Sequence, residues 1–284
     1  MTAPQTIGVI GAGTMGNGIA QVCALAGMSV VMLDVDEKRV ARGREAIAGG
    51  LERLVMKTKL SAAERDAALG RLRGATDYGA LGDAGMIIEA ATEDEALKIK
   101  ILRQADAVAK EGAIVATNTS SISITKLAAA LGRPADFVGL HFFNPVPLMA
   151  LVEVVRGRQT SDATVEAASA LARRVGKTPV VVKDSPGFVV NRLLCPMLNE
   201  AVLAYGEGIA SARDIDEAMK LGCNHPIGPL ALADLIGVDV LLAVMEVFHR
   251  EFKDPKYRPA PLLKEMVAEG RLGRKSGRGF YTYT

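Results

Sequence analysis

The stretch TIGVIGAGTMG, residues 6–16, decides the fold. Its first half is a short apolar run ending in glycine, the pattern of a buried strand. Its second half, Gly11, Ala12, Gly13, Thr14, Met15 and Gly16, has G-x-G-x-x-G spacing. Gly11 permits a tight turn, Gly13 lets backbone N–H groups approach a pyrophosphate, and Gly16 lets the next helix pack close to the strand. The helix N-terminus then favours phosphate charge. A glycine-rich turn with no ligand is the alternative. The surroundings favour the first reading. Small and apolar residues continue at helical spacing over 14–27, and a second apolar strand, SVVMLD (29–34), ends in Asp34. An acid there accepts hydrogen bonds from a ribose diol. It would repel the 2′-phosphate of NADP, and no arginine follows it directly, so NAD is the expected cofactor. Lys38 and Arg39 stand close enough to weaken that preference.

Outward from this stretch the alternation continues. A long charged helix is expected from about Glu37 to Lys57, and Ser61 with Glu64 has capping-box spacing for another. MIIEA (86–90), AIVAT (113–117), DFVGLHF (136–142), LVEVV (151–155) and PVVVK (179–183) read as strands. Thr92 with Glu95 should cap a helix in the same way, and further helices fill about 124–131 and 162–175. Buried strands alternating with helices imply an α/β fold with a Rossmann-like, doubly wound, mostly parallel sheet. After Lys183 the character changes. DSPGFVVNRLLCPMLNEAVLAYGEG reads as a helix with Ser185 as N-cap and Pro186 at its first position. Helical stretches follow near 212–221, 229–252 and 260–269, with no strand pattern until the final GFYTYT. The expected organisation is an NAD-binding domain over 1–184 and an all-α domain over 185–284.

The bulk numbers narrow the function classes. Of the 284 residues, 49% are hydrophobic and 23% charged, which is ordinary for a globular protein. A net charge of +2 gives no electrostatic case for nucleic acid or an acidic membrane. No apolar run is long enough to span a bilayer. The three cysteines lack CxxC spacing, which argues against a disulfide framework or structural zinc, and His225 and His249 lack ligand-like spacing, so no metal is expected. The N-terminus enters a strand without a basic region, so a cytoplasmic location is expected.

The chemistry centres on GLHFFNPVP, residues 139–147, which sets His141 in an apolar run. A satisfied core histidine is one reading, and three features oppose it. Glu153 lies in LVEVV, a strand that otherwise wants apolar residues, and a buried lone carboxylate costs several kcal/mol unless paired. If the two strands are antiparallel about a turn centred on Pro147, His141 and Glu153 fall opposite each other. NTSS (118–121) ends another strand at the same sheet edge, although Ser121 or Ser123 could serve only as a helix N-cap. Asn191 sits in FVVNRLL, whose apolar neighbours suggest a packed surface and hence a polar partner. An NAD site, a His–Glu pair and hydroxyl and amide donors together describe hydride transfer between an alcohol and a carbonyl. Histidine exchanges the hydroxyl proton, and the glutamate stabilises the imidazolium.

GAGTMG, NTSSISIT, GLHFFNPVPLMALVEVV and DSPGFVVNRLL together resemble the L-3-hydroxyacyl-CoA dehydrogenases, down to GRKSGRGFY in the tail. Within that family, a chain of this size is most similar to the bacterial 3-hydroxybutyryl-CoA branch. The resemblance implies interconversion of (S)-3-hydroxybutyryl-CoA and acetoacetyl-CoA, with His141 as acid/base and Glu153 as its orienting partner. It implies that Ser120 and Asn191 hold the reacting oxygen. It implies that Asn144, Glu93, Lys98 and Lys275 lie against NAD. Lys57 is the implied phosphate contact for the acyl-CoA substrate, with a solvated helix face as the alternative; Gly50 stands where relatives can carry a serine. It further implies a homodimer paired through the C-terminal helices, and the apolar PLALADLIGVDVLLAVMEVF (229–248) agrees, as would burial within one chain. Two rivals remain at this point: a related dehydrogenase acting on a free hydroxy acid, and a non-catalytic NAD-binding protein.

Overall fold

The computed structural model describes residues 4–283. Residues 1–3 and 284, the ends of the two expected domains, lie outside the described residues. The chain divides into two compact units, Met1–Ser185 and Pro186–Thr284.

The first unit is a sheet of eight strands. They are β1 (Thr6–Ile10), β2 (Ser29–Leu33), β3 (Leu72–Ala75), β4 (Met86–Glu89), β5 (Ile114–Thr117), β6 (Phe137–Phe142), β7 (Leu151–Arg156) and β8 (Thr178–Lys183). Their spatial order is β3-β2-β1-β4-β5-β6-β7-β8, and every neighbouring pair is parallel except β6 and β7. The order reverses beside β1, because β2 and β3 build out one way and β4 to β6 the other. Such a reversal opens a crevice at the carboxyl ends of the strands. The central strands are buried along both faces, which only apolar runs tolerate.

Helices α1 (Thr14–Leu25), α2 (Glu37–Met56), α3 (Ala62–Gly70), α4 (Glu95–Val108), α5 (Ile124–Ala128) and α6 (Asp162–Arg174) belong to this unit. In α2, Val40, Gly43, Ile47 and Leu51 recur at helical spacing and are the buried face. Burying Ile47 and Leu51 stabilises the unit by roughly 1.5–3 kcal/mol each. Gly43 is required there, since a Cβ would sit 2.8 Å from that of Ala12. The capping box expected at Ser61 forms as read, with Ser61 and Glu64 exchanging bonds.

Three expectations change in this unit. The strand β3 was not visible in the sequence, because LRGA buries only Leu72 and lies at the sheet edge. Helix α4 is capped by Asp94, which accepts from the Leu97 N–H at 2.7 Å, not by Thr92, whose hydroxyl accepts from the Asp94 N–H. Helix α5 stops at Ala128, short of the expected 131.

The second unit is helical, with α7 (Val190–Gly206), α8 (Ala212–Cys223), α9 (Pro229–Ile236), α10 (Val238–Phe252) and α11 (Pro261–Ala268). Ser185 and Pro186 do not start α7. Gly187 and Phe188 have φ of 74° and 50°, a left-handed pair that no α-helix accommodates. The backbone turns there while Phe188 is buried, and the helix begins afterwards. The expected helix over 229–252 is two helices, broken at Gly237 with φ 111°. GFYTYT forms no extended strand: Arg278 and Thr282 make an isolated bridge, and Thr284 lies outside the described residues. Two buried acids anchor this tail. Asp234 accepts from the Phe280 and Tyr281 N–H groups and the Tyr283 hydroxyl, and Asp216 accepts from the Tyr281 hydroxyl. No described helix is long and apolar enough to cross a membrane.

Candidate active site

The glycine turn has the geometry its spacing asks for. Gly11 has φ 101°, and a Cβ there would stand 2.7 Å from the Ala90 carbonyl oxygen. A Cβ on Gly16 would collide with the Gly11 carbonyl oxygen. Around Gly13 a Cβ would meet nothing within 4 Å, so the turn is open where a pyrophosphate would approach. Asp34 clamps the turn from β2: its carboxylate accepts from the Ala12 N–H at 2.8 Å and the Val35 N–H at 2.7 Å. Arg39 reaches within 4.0 Å of the same carboxylate. A cavity of about 380 Å³ begins at Asp34 and is otherwise lined by Val35, Tyr78, Leu97 and Ile101 among others. Burial, and then the negative charges of Glu89 and Asp34, push the Tyr78 phenol above its ordinary pKa. An open glycine turn, a helix N-terminus, an acid and an apolar slot together fit a dinucleotide.

His141 and Glu153 are direct cross-strand partners in the antiparallel β6–β7 pair. The turn is symmetric about Pro147, as the sequence reading required. The imidazole Nδ1 lies 2.7 Å from Glu153 Oε2, and the glutamate is 1% exposed. Nδ1 is thereby committed to the carboxylate. The Phe143 ring lies 4.4 Å away, centroid to centroid, and limits water around the imidazole. The neighbouring Phe142 N–H donates to Asn118 Oδ1 at 2.9 Å, so the NTSS loop holds the end of the histidine strand.

Glu93 bridges the loop after β4 to the NTSS loop after β5. It accepts from the Thr119 hydroxyl at 2.7 Å and from the Ser120 N–H at 3.0 Å, and so brings Glu93 and Ser120 together. Ser123 is the N-cap of α5, the lesser of its two readings, and its hydroxyl also donates to Asp184. Lys98 is placed otherwise than a direct cofactor contact requires. Its side chain has 0% exposure, and its ammonium lies 2.5 Å from Glu89, with Thr117 as a second partner. It braces the floor of the crevice, and presents no surface to a ligand.

Asn144, Thr14 and Lys57 line a second cavity of about 360 Å³, between α1, α2 and the turn that follows β6. Gly18 allows the turn to lie on α1, because a Cβ there would be 2.8 Å from that of Val146. The peptide bond between Asn144 and Pro145 is cis.

In the second unit, Asn191 is the second residue of α7. It is half-buried, and its side chain makes no hydrogen bond among the described residues, so the polar partner expected for it is not found there. Lys275 pairs with Asp239 at 2.6 Å. Beside Asn191, the Arg192 guanidinium stacks over the Phe252 ring at 3.7 Å.

Three polar residues of the first unit escaped the sequence reading: Gln21, Glu89 and Asp184. Two of them had a signal. Glu89 in MIIEA and Gln21 in GIAQVCALAG are single polar residues within apolar runs.

Comparison with known proteins converges on one family. The sequence pattern described as "3-hydroxyacyl-CoA dehydrogenase, NAD binding domain" matches residues 6–185, and its C-terminal domain counterpart matches residues 187–283. The chain is 52% identical, over 97% of its length and 99% of the relative, to a probable 3-hydroxybutyryl-CoA dehydrogenase of Deinococcus radiodurans. It is 51% identical to a 3-hydroxybutyryl-CoA dehydrogenase of Bradyrhizobium diazoefficiens, over 98% of this chain and 95% of that one. Among solved structures, the (S)-3-hydroxybutyryl-CoA dehydrogenase of Ralstonia eutropha superposes with a TM-score of 0.98 at 59% identity, covering 99% of this chain and 100% of that one.

Proposed function

The chain belongs to the 3-hydroxyacyl-CoA dehydrogenase family, and from that premise we propose that it interconverts (S)-3-hydroxybutyryl-CoA and acetoacetyl-CoA with NAD. His141 and Glu153 are the proposed acid/base pair. The observation that carries this reading is their register: two buried titratable groups, 2.7 Å apart, with His141 near the carboxyl end of β6.

NAD, when bound, supplies the hydride acceptor for oxidation and, once reduced, the donor for the reverse. The remaining roles fall to the chain. His141 takes the 3-hydroxyl proton at Nε2 and returns it in the reverse direction. Glu153 holds Nδ1, fixes the ring and stabilises the imidazolium. Ser120, positioned by Glu93, and Asn191 donate hydrogen bonds to the reacting oxygen. Asp34 receives the ribose hydroxyls, and Gly11 to Gly16 receive the pyrophosphate. Asn144 and Lys275 are assigned to the cofactor, and Lys98 acts indirectly, through Glu89. Lys57 takes a phosphate of coenzyme A. The proposed domains are an NAD-binding domain over 1–184, which also carries the acid/base pair and Lys57, and a substrate and dimerisation domain over 185–284. A second copy would cover the exposed Leu193, Ile209 and Leu221 of the helical unit.

The test is steady-state oxidation of NADH by acetoacetyl-CoA, run beside free acetoacetate. The proposal expects turnover of the thioester and little of the free acid. Turnover of the free acid alone would refute it.

A further inference from the structure

Asn191, the proposed donor to the reacting oxygen, has little local support. It is the second residue of α7, and Val189 at the N-cap provides no side-chain cap. A helix start without a cap frays, because its first N–H groups lack acceptors. The Asn191 side chain makes no hydrogen bond among the described residues. A donor lowers a barrier only when it is held in place before the charge develops. Something else must therefore fix the first turn of α7.

The chain is pinned to one aromatic platform on both sides of Asn191. The platform is Phe248 and Phe252, from the end of α10, with Tyr257 from the turn Pro255–Tyr257 that follows. Their ring centroids lie 4.9 to 5.9 Å apart. Phe248 is 1% exposed and Tyr257 5%, so the platform belongs to the core of the helical unit. Before Asn191, Gly187 lies so close that a Cβ there would collide with the Phe248 ring. After it, the Arg192 N–H donates to the Gly187 carbonyl at 3.1 Å. The Arg192 guanidinium then lies 3.7 Å over the Phe252 ring and 4.6 Å over the Tyr257 ring.

Ring faces, not hydrogen bonds, account for that guanidinium. Its Nη1 is buried and has no hydrogen-bond partner among the described residues. A buried N–H without an acceptor costs free energy. An aliphatic side chain at 192 would avoid the cost. What offsets it is the contact of a planar cation with two ring faces, which a compact ammonium reproduces poorly.

We infer that Arg192 is a positioning residue for Asn191. Its stack on Phe252 and Tyr257 fixes the first turn of α7 and leaves the Asn191 amide free for the reacting oxygen. The assignment rests on the proposed role of Asn191 and adds to it the group that holds it.

The test is a double-mutant cycle in the full-length chain, read as kcat with saturating acetoacetyl-CoA and NADH. Asn191→Ala should lower kcat about a hundredfold, the worth of one donor to a developing alkoxide. Arg192→Met should lower it about tenfold, because the donor is displaced rather than lost. Methionine keeps contact with the rings, so the NADH dissociation constant should stay within about twofold. In the Asn191→Ala background, Arg192→Met should change kcat by less than about twofold, since no donor is left to position. A merely structural role predicts the same fall in both backgrounds, and that result overturns the assignment. So does an unchanged kcat in Arg192→Met alone. If Arg192→Met does not fold, Phe252→Leu removes the ring face from the other side of the contact and must show the same dependence on Asn191. An Asn191→Ala chain with wild-type kcat refutes instead the role of Asn191 on which the assignment rests. A wild-type chain inactive on acetoacetyl-CoA refutes the thioester reading itself.

Discussion

Replacing Glu153 with glutamine isolates the charge at the centre of the proposed chemistry. The side chain keeps its volume in a site where the glutamate is 1% exposed, so packing changes little. The imidazole keeps an acceptor, since the amide oxygen can accept a hydrogen bond from the Nδ1–H. What disappears is the negative charge 2.7 Å from the ring. At that separation, with an effective dielectric of about 20, an imidazolium and a carboxylate attract by roughly 6 kcal/mol. This gross value is an upper limit, because part of the interaction already exists with a neutral ring. Acid–base assistance itself is worth ~10²–10⁴ in rate, and an Asp→Asn change in a hydrolytic triad costs about 10⁴. The expected fall in kcat is therefore about a thousandfold, or ~4 kcal/mol of transition-state stabilisation. The assay follows NADH absorbance with saturating acetoacetyl-CoA, beside a fluorescence titration of NADH binding. NADH affinity should hold within about twofold, since no part of the pair lies in the nucleotide turn. A variant that keeps kcat within about threefold of wild type, with intact NADH binding, would show that the pair is structural and that the proton moves elsewhere.

Asp34→Ala removes both the ribose acceptor and the clamp on the Ala12 N–H, and leaves Arg39 without its carboxylate neighbour. The ratio of kcat/KM for NADH to that for NADPH should fall by about tenfold or more, the worth of a charge-assisted hydrogen bond; an unchanged ratio would place cofactor choice elsewhere. Glu89→Gln should destabilise the protein by about 3–5 kcal/mol, because it leaves Lys98 charged and fully buried. Thermal unfolding should show a fall on the order of 10 °C. The double change Glu89→Gln with Lys98→Met should recover most of it, and no recovery would mean that the pair is not the reason. Burial pushes the Cys23 and Cys195 thiols up to about 12, whereas Cys223 is exposed. A thiol titration near pH ~8 should find one reactive group in the native chain and three in denaturant, since the thiolate is the reactive form. Both buried thiols sit above the ordinary value of 9.0, so their contribution to stability is full below that pH and is lost as pH rises towards about 12.

Where the local pattern carries its own periodicity, the sequence was enough. The strand–turn–helix of residues 6–16 and the capping box at Ser61 follow from short-range spacing, whereas the symmetric turn about Pro147 entered only as a condition that the β6–β7 register then met. What stayed hidden depends on partners remote in the chain. The edge strand β3 has one buried residue, so no apolar pattern marks it. The start of α7 is displaced by the burial of Phe188, which outweighs a good N-cap and a proline in sequence. Lys98 is set against NAD by resemblance until Glu89 and Thr117 are found to hold its ammonium. Asp184 is likewise a polar residue whose meaning comes from what lies across from it, the start of α5.

Glu89 and Glu153 give the same signal, a carboxylate in an otherwise apolar strand, and both are almost wholly buried. Each finds a cation-forming partner at 2.5–2.7 Å. The partner decides what each pair can do. A lysine ammonium holds its proton firmly near neutral pH, so Glu89–Lys98 is a fixed strut, further tied by Thr117. An imidazole gives and takes a proton in that range, so the same carboxylate opposite a histidine makes a group that can cycle. The strut also sits where rigidity is useful: Glu89 accepts from the Ala91 N–H at 2.9 Å, at the start of the loop that carries Glu93 to Ser120. A lone acid in a buried strand is thus a reliable sign of a partner, and the chemistry is read from the partner rather than from the acid.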